Sequence, residues 1–406
     1  MRAQFLVDPP TVQTKRPAIG RVPRLWHFAT EYLLALPLGV LVALVWANAD
    51  AGSYYRAAQR MAFLVNDVAM AAFFALITKE IIEATVPGGV LHPWRRAASA
   101  VVASSGIAIV PVVLFAVLVR VFGEPALVRG WPTVLAVDVA AGYFVARVIF
   151  GKHPAIAFFL LLAISANAFG FIALTIVEPT RELRFGTAAL LMSAAIGVAV
   201  AFRNAKVRSP WPYVTVAGAL SWSAFYFGGF HPALALVPIV PFLPHATRDP
   251  GFFVDAPPRA KDALNRLERL FRHPAQVALF GFGLVNGGVS FSAVESGVWC
   301  LPLAALVGKP IGLLAGVAVG HALGFHLPPG VQRRDLLPLG FISAIGLTMA
   351  LFFATATVGT GQLLSELKVG TLIGLISGVA AIASAKLVGA GRFHGAAGLS
   401  PRRGGI

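Results

Sequence analysis

Apolar runs of about twenty residues, separated by short polar stretches, recur along most of the chain. Each run has the length an α-helix needs to cross roughly 30 Å of hydrocarbon. The pattern predicts twelve spans, at 30–49, 61–84, 97–121, 133–150, 155–177, 185–204, 211–228, 230–246, 276–291, 298–323, 336–358 and 368–390. The expected fold is an all-α membrane protein, with a basic tail at 1–28, a single polytopic membrane domain at 29–391 and a Gly- and Arg-rich disordered tail at 392–406. Leu264, Leu267, Leu270 and Phe271 fall at helical spacing among arginines, which predicts an amphipathic helix lying on the cytoplasmic face. Gly312, Gly316 and Gly320 are spaced for close helix–helix approach, and packing within the fold is preferred over a homodimer contact.

Composition agrees with the pattern. The 406 residues are 57% hydrophobic and 12% charged, against about 25% charged in soluble domains. Lipid can solvate the apolar exterior that such a chain leaves. The net charge of +16 comes from Lys and Arg in short loops, which fits the positive-inside rule and anionic headgroups and argues against nucleic acid as a partner. Arg95, Arg96, Arg147, Lys152, Arg203 and Arg333 fall on one side, and the sparser Arg129, Arg184 and Lys368 on the other. Both termini are therefore expected in the cytoplasm, with the chain in the inner (plasma) membrane. The first apolar run follows a basic tail, so no signal peptide is expected. Cys300 is the only cysteine and lies in an apolar run, where a thiol is inert. The sequence offers no Cys/His cluster, nucleophile–base pair or phosphate loop, so neither an enzyme nor a resident cofactor is expected.

Charges inside spans are expensive and usually functional. Asp138 lies in the fourth span, Lys309 in the tenth, and Asn66 and Asp67 early in the second. The fourth span is short and holds Gly142; the eleventh holds Pro338, Gly340 and Gly346. Interrupted spans at matching places point to broken helices around a transport site. If spans three to five and ten to twelve are repeats of three, these two are their middle members and the second unit inserts inverted. Crossed half-helices bring two positive and two negative dipole ends together in the membrane. Asp138 suits the first pair of ends and Lys309 the second, either to hold the fold or, for Asp138, to bind a proton or a cation.

At these residues the chain resembles the NhaA-type sodium/proton antiporters. Phe63-Leu-Val-Asn-Asp-Val-Ala-Met-Ala-Ala-Phe-Phe74, continued by Glu80, is similar to the family's second-span motif. Gly130-Trp-Pro-Thr-Val-Leu-Ala-Val-Asp138 is similar to its broken fourth span. Arg266-Leu-Glu268 with His273-Pro274, Asn286-Gly-Gly-Val-Ser290, Gly308-Lys-Pro310 and Ile345-Gly-Leu-Thr-Met349 resemble the ninth to eleventh spans. The resemblance implies twelve helices, NhaA-like inverted repeats with broken helices four and eleven, and a core bundle beside interface helices. It implies exchange of H+ for Na+ or Li+ under pH regulation. It also implies an adjacent aspartate pair on the fifth span, where this chain has Asn167 and Ala168, and a threonine before the fourth-span aspartate, where it has Val137. No Asp or Glu lies between Pro154 and Val177 to replace that pair. The family's pH response maps to positions such as Glu80, Glu83 and Glu268, and to His231; solvated acids and a helix-end histidine are the plainer readings of the same residues.

The leading expectation is a secondary transporter exchanging protons for a monovalent cation by alternating access. Asp138 would be the main titrating carboxylate and Na+ ligand, Asn167 and Ser165 would supply neutral oxygens, and Lys309 and Asp67 would complete the site. The alternatives are a transporter of the same fold with another substrate, an anion or a neutral solute, and a non-transporting membrane sensor or partner subunit.

Overall fold

The structure is a computed structural model and describes residues 35–85, 92, 94–122, 125–151, 153–177, 184–244, 262–289, 295–358 and 361–394. Every regular element among them is helical. The tail at 1–28 and residues 395–406 lie outside the described residues. Gly391–Phe393, at the margin of the expected disordered tail, forms a 3-10 turn, with Arg392 against Gly151 and His394 beside Arg334.

Six helices among the described residues are long and apolar enough to cross a membrane, or eight if each of two bent pairs is one span. Their outer faces carry large apolar side chains: Val45 is 72% and Leu387 83% exposed. An exterior of this kind is stable against lipid tails. Helix α1, Ala35–Ala49, is apolar but shorter. Helices α2 (Ala51–Phe63) and α3 (Met70–Thr85) are joined without interruption by a π-helical segment, Leu64–Ala69, which carries Asn66 and Asp67. Helix α4 spans Trp94–Phe122.

Two expected elements differ. Residues 230–246 were expected to be a span, but Pro232–Leu234 and Val240–Phe242 are 3-10 turns with further turns between them. Pro232, Pro238, Pro241 and Pro244 explain it. Each proline removes a helical donor and crowds the carbonyl four residues back. The chain instead closes i→i+3 bonds such as Val237 N to Leu234 O and Leu243 N to Val240 O. The amphipathic stretch at Ala263 does not lie separately on a surface. It opens a continuous helix, α10, Ala263–Asn286, which passes through Pro274 and contains most of the expected ninth span. Leu264 and Leu267 are buried against Tyr213, Leu236 and Ile239, while Arg266 and Arg269 stay exposed.

The core that positions the site is built from α4, α5 (Pro132–Leu135), α6 (Val139–Phe150), α7 (Ala155–Val177), α11 (Cys300–Ala322), α12 (Arg333–Ser343) and α13 (Leu347–Val358). Helices α4 and α11 lie with their backbones in contact. A Cβ at Gly312 would strike the Gly106 carbonyl, and one at Gly316 would sit 2.6 Å from the Ala103 carbonyl oxygen. The glycine stripe therefore serves packing within the chain, as its spacing favoured.

The chain breaks twice between short helices. The segment Pro125–Leu135 meets α6 at 55°, and α12 meets α13 at 46°. The first break falls at Ala136–Asp138 rather than at Gly142, which is helical and faces the Phe159 ring. The second falls at Ala344–Gly346, so Gly346 marks it, whereas Pro338 and Gly340 stay inside α12 with Gly340 against Pro310.

Candidate functional site

The two breaks cross each other, and several of the backbone groups freed there have partners inside the protein. Asp138 N donates to Ile345 O at 2.7 Å and joins the breaks directly. Val137 gives its N–H to Asn167 Oδ1 at 2.9 Å, and its carbonyl accepts from Asn167 Nδ2 at 2.8 Å. Ala136 O and Ser343 O, at the C-terminal ends of α5 and α12, both accept from Lys309 Nζ, the second at 3.0 Å. A buried unpaired backbone group costs about 1–3 kcal/mol, and these bonds help to hold the crossing without continuous helix.

The carboxylate of Asp138 completes the set. It is fully buried. Oδ1 accepts from Ala141 N at 2.8 Å and caps α6. Oδ2 accepts from the Thr348 backbone N and from Thr348 Oγ1, both at 2.6 Å, at the first turn of α13. One carboxylate thus meets two helix N-termini, and one ammonium meets two helix C-termini. Each charge opposes the dipole ends it faces. A void of about 20 Å³ beside Lys309, lined by Thr133, Ala136 and Gly346, has room for about one water.

The expected site residues separate into two groups. Asp138, Asn167 and Lys309 come together at the crossing. The amide of Asn167 is taken up on both sides by the Val137 peptide, so it pins the break rather than offering an oxygen to an ion. Ala168, at the second position of the expected aspartate pair, is exposed on α7. Asp67 is elsewhere. It lines a cavity of about 350 Å³ with His231, Phe230, Trp222 and Thr355, the last on α13 two turns beyond Thr348. His231 caps the 3-10 turn with Nδ1 accepting from Ala233 N at 3.3 Å, and the same nitrogen lies 3.9 Å from Asp67 Oδ1. Asn66 pairs with Asn286 across to α10, with Asn286 Nδ2 donating to Asn66 Oδ1 at 2.8 Å.

The acids named for a pH response lie at the far end of α3. Lys79, buried to 1% exposure, bridges Glu83 Oε2 at 2.7 Å and Glu268 Oε2 at 3.0 Å, tying α3 to α10. The side chain of Glu80 lies outside the described residues. Sequence reasoning missed Lys79, which sits among acids near a span end and reads as a solvated interface residue. It also missed Thr348, whose motif was recognised but whose hydroxyl had no assigned partner.

Comparison with known proteins bears on this arrangement. The family model described as Na+/H+ antiporter 1 matches residues 28–387. The Na(+)/H(+) antiporter NhaA of Geobacter sulfurreducens is 37% identical over 353 residues, covering 84% of this chain and 92% of that protein. The protein of the same description from Geotalea uraniireducens is 38% identical over 88% of this chain and 95% of its own length. One from Desulfitobacterium hafniense is 36% identical over 89% and 96%. The match runs through every element of the helix crossing, and by that extent the chain belongs to the Na+/H+ antiporter 1 family.

Proposed function

We propose that the chain exchanges protons for a monovalent cation, Na+ or Li+, across the membrane, with Asp138 as the group that alternately holds the proton and the cation. It is a secondary transporter rather than an enzyme. The observation that carries this reading is the buried carboxylate at the junction of two broken helices. A cation reaching Asp138 replaces the donors on Oδ2 with an ion contact and displaces any proton there. A returning proton then ejects the cation, since a neutral acid is a poor ligand for a hard ion. Because Asp138 is closed off, exposure to either side requires α13 to move against α6, which is the kind of step alternating access needs.

Both termini face the cytoplasm in this reading, supported by the distribution of Lys and Arg. Two inverted units of three spans each, spans three to five and ten to twelve, are supported by the two bent pairs, whose flanking helices α4 and α11 lie against each other. Glu83 and Glu268, held by Lys79, and His231 beside Asp67 form the pH-responsive connections. Protonating His231 at Nδ1 breaks its bond from Ala233 and draws the ring to Asp67.

An alternative is favoured by the saturation of Asp138: Asp138 and Lys309 hold the crossing only, and the cation binds at Asp67. Calorimetric titration of the purified chain with LiCl and NaCl separates the two. If Asp138 is the ligand, cation binding weakens as pH falls and disappears in Asp138→Asn. Unchanged binding in that variant, with loss in Asp67→Asn, would move the site to Asp67.

A further inference from the structure

A second cavity, of about 720 Å³, shares Thr355 as a lining residue with the Asp67 cavity. It is bounded by α2, α10, α13 and α14, Gln362–Ile373. Lys368 of α14 is 5% exposed and lines it. Among the described residues no carboxylate or carbonyl pairs with its ammonium, and none of the residues lining the cavity is acidic. Glu366, two positions earlier on α14, is not among the lining residues: its Oε2 lies against Gly297, and its Oε1 accepts from Gln362 Nε2 at 3.4 Å. The remaining polar lining is neutral: the hydroxyls of Ser365 and Thr355, which donate to the Gly361 and Leu351 carbonyls, and the amide of Asn286, which donates to Asn66 Oδ1. Val285 and Leu364 supply apolar wall.

A buried ammonium without a counter-charge is costly, and a positively charged cavity of this size repels the cation the protein exchanges. From the geometry we infer that the Lys368 cavity is a binding site for a small organic monocarboxylate. The carboxylate would pair with Lys368, and its apolar body would lie against Val285 and Leu364. Such a site pairs charge with charge and apolar surface with apolar surface, as small-ligand sites generally do. It is separate from the exchange at Asp138 and does not depend on it.

Benzoate is a suitable probe and benzamide its neutral counterpart. Purified full-length chain, at constant ionic strength set with KCl, is followed by thermal unfolding and by saturation-transfer NMR on the probe. Benzoate is expected to raise the unfolding temperature and give transfer signals in the wild type, and benzamide to do neither. Lys368→Arg should keep the response, and Lys368→Met should weaken benzoate at least about tenfold. Lys368→Met removes a buried charge, so the probe-free unfolding temperature reports whether it is folded. Equal benzoate binding in folded Lys368→Met, equal binding of benzamide, or no benzoate response in the wild type would each overturn the assignment.

Discussion

At the helix crossing Asp138 accepts three hydrogen bonds and Lys309 gives two, each to a helix end. At the Thr355 end of α13, by contrast, Asp67 and Lys368 line cavities of about 350 and 720 Å³. The crossing charges belong to the architecture as much as to the chemistry, since removing either leaves main-chain groups without partners. The cavity charges face space large enough for ions and small molecules. One helix joins the two regions: α13 places Thr348 on Asp138 in its first turn and carries Thr355, which lines both cavities. A movement of α13 that loosens Asp138 therefore also reshapes both cavities.

This contrast predicts that substitutions at the crossing cost stability, whereas those in the cavities change binding. The largest effect is expected at Asn167. Asn167→Ala orphans the N–H and the carbonyl of Val137 together, for a loss of about 3 kcal/mol, read as a lowered unfolding temperature in detergent. Asn167→Asp keeps an acceptor for the Val137 N–H but sets its second oxygen against the Val137 carbonyl, so its loss should fall between wild type and alanine. If Asn167→Ala unfolds at the wild-type temperature, the amide is not what holds the break.

A smaller loss is expected at Thr348. Thr348→Val removes the hydroxyl donor to Asp138 and leaves the backbone donor, for about 2 kcal/mol. Thr348→Ser should restore most of it. Equal unfolding temperatures for the serine and valine variants would detach the hydroxyl from the crossing.

The sequence made the membrane class and the two crossing charges legible because both rest on simple costs: apolar runs have no place in water, and charges have no place in lipid without a partner. Asp138 and Lys309 match opposite helix ends on their charge and place in the chain alone. The breaks were harder to place. Gly142 reads as a natural weak point, but the helix holds there because its lack of a side chain admits the Phe159 ring, and the real break is fixed by bonds from distant residues, Asn167, Lys309 and Ile345. The span expected at 230–246 failed because hydropathy outweighed four prolines. Lys368 reads as a cation at the mouth of the last span, at 368–390, yet α14 begins at Gln362 and carries it inside. Asn167 reads as a lost acid, and only its contacts disclose that both ends of its amide are in use.

The most direct test of Asp138 as the exchanging group is Na+- and Li+-driven proton flux in proteoliposomes loaded with a pH-sensitive dye, comparing wild type, Asp138→Asn and Asp67→Asn at matched insertion. Asp67 is partly exposed, so Asp67→Asn should cost less than about 1 kcal/mol of stability. The expected result is cation-dependent collapse of the proton gradient by the wild type and by Asp67→Asn, and none by Asp138→Asn that is shown to be folded. Full flux from folded Asp138→Asn would contradict the account and leave Asp138 and Lys309 as the pair that holds the helices crossed.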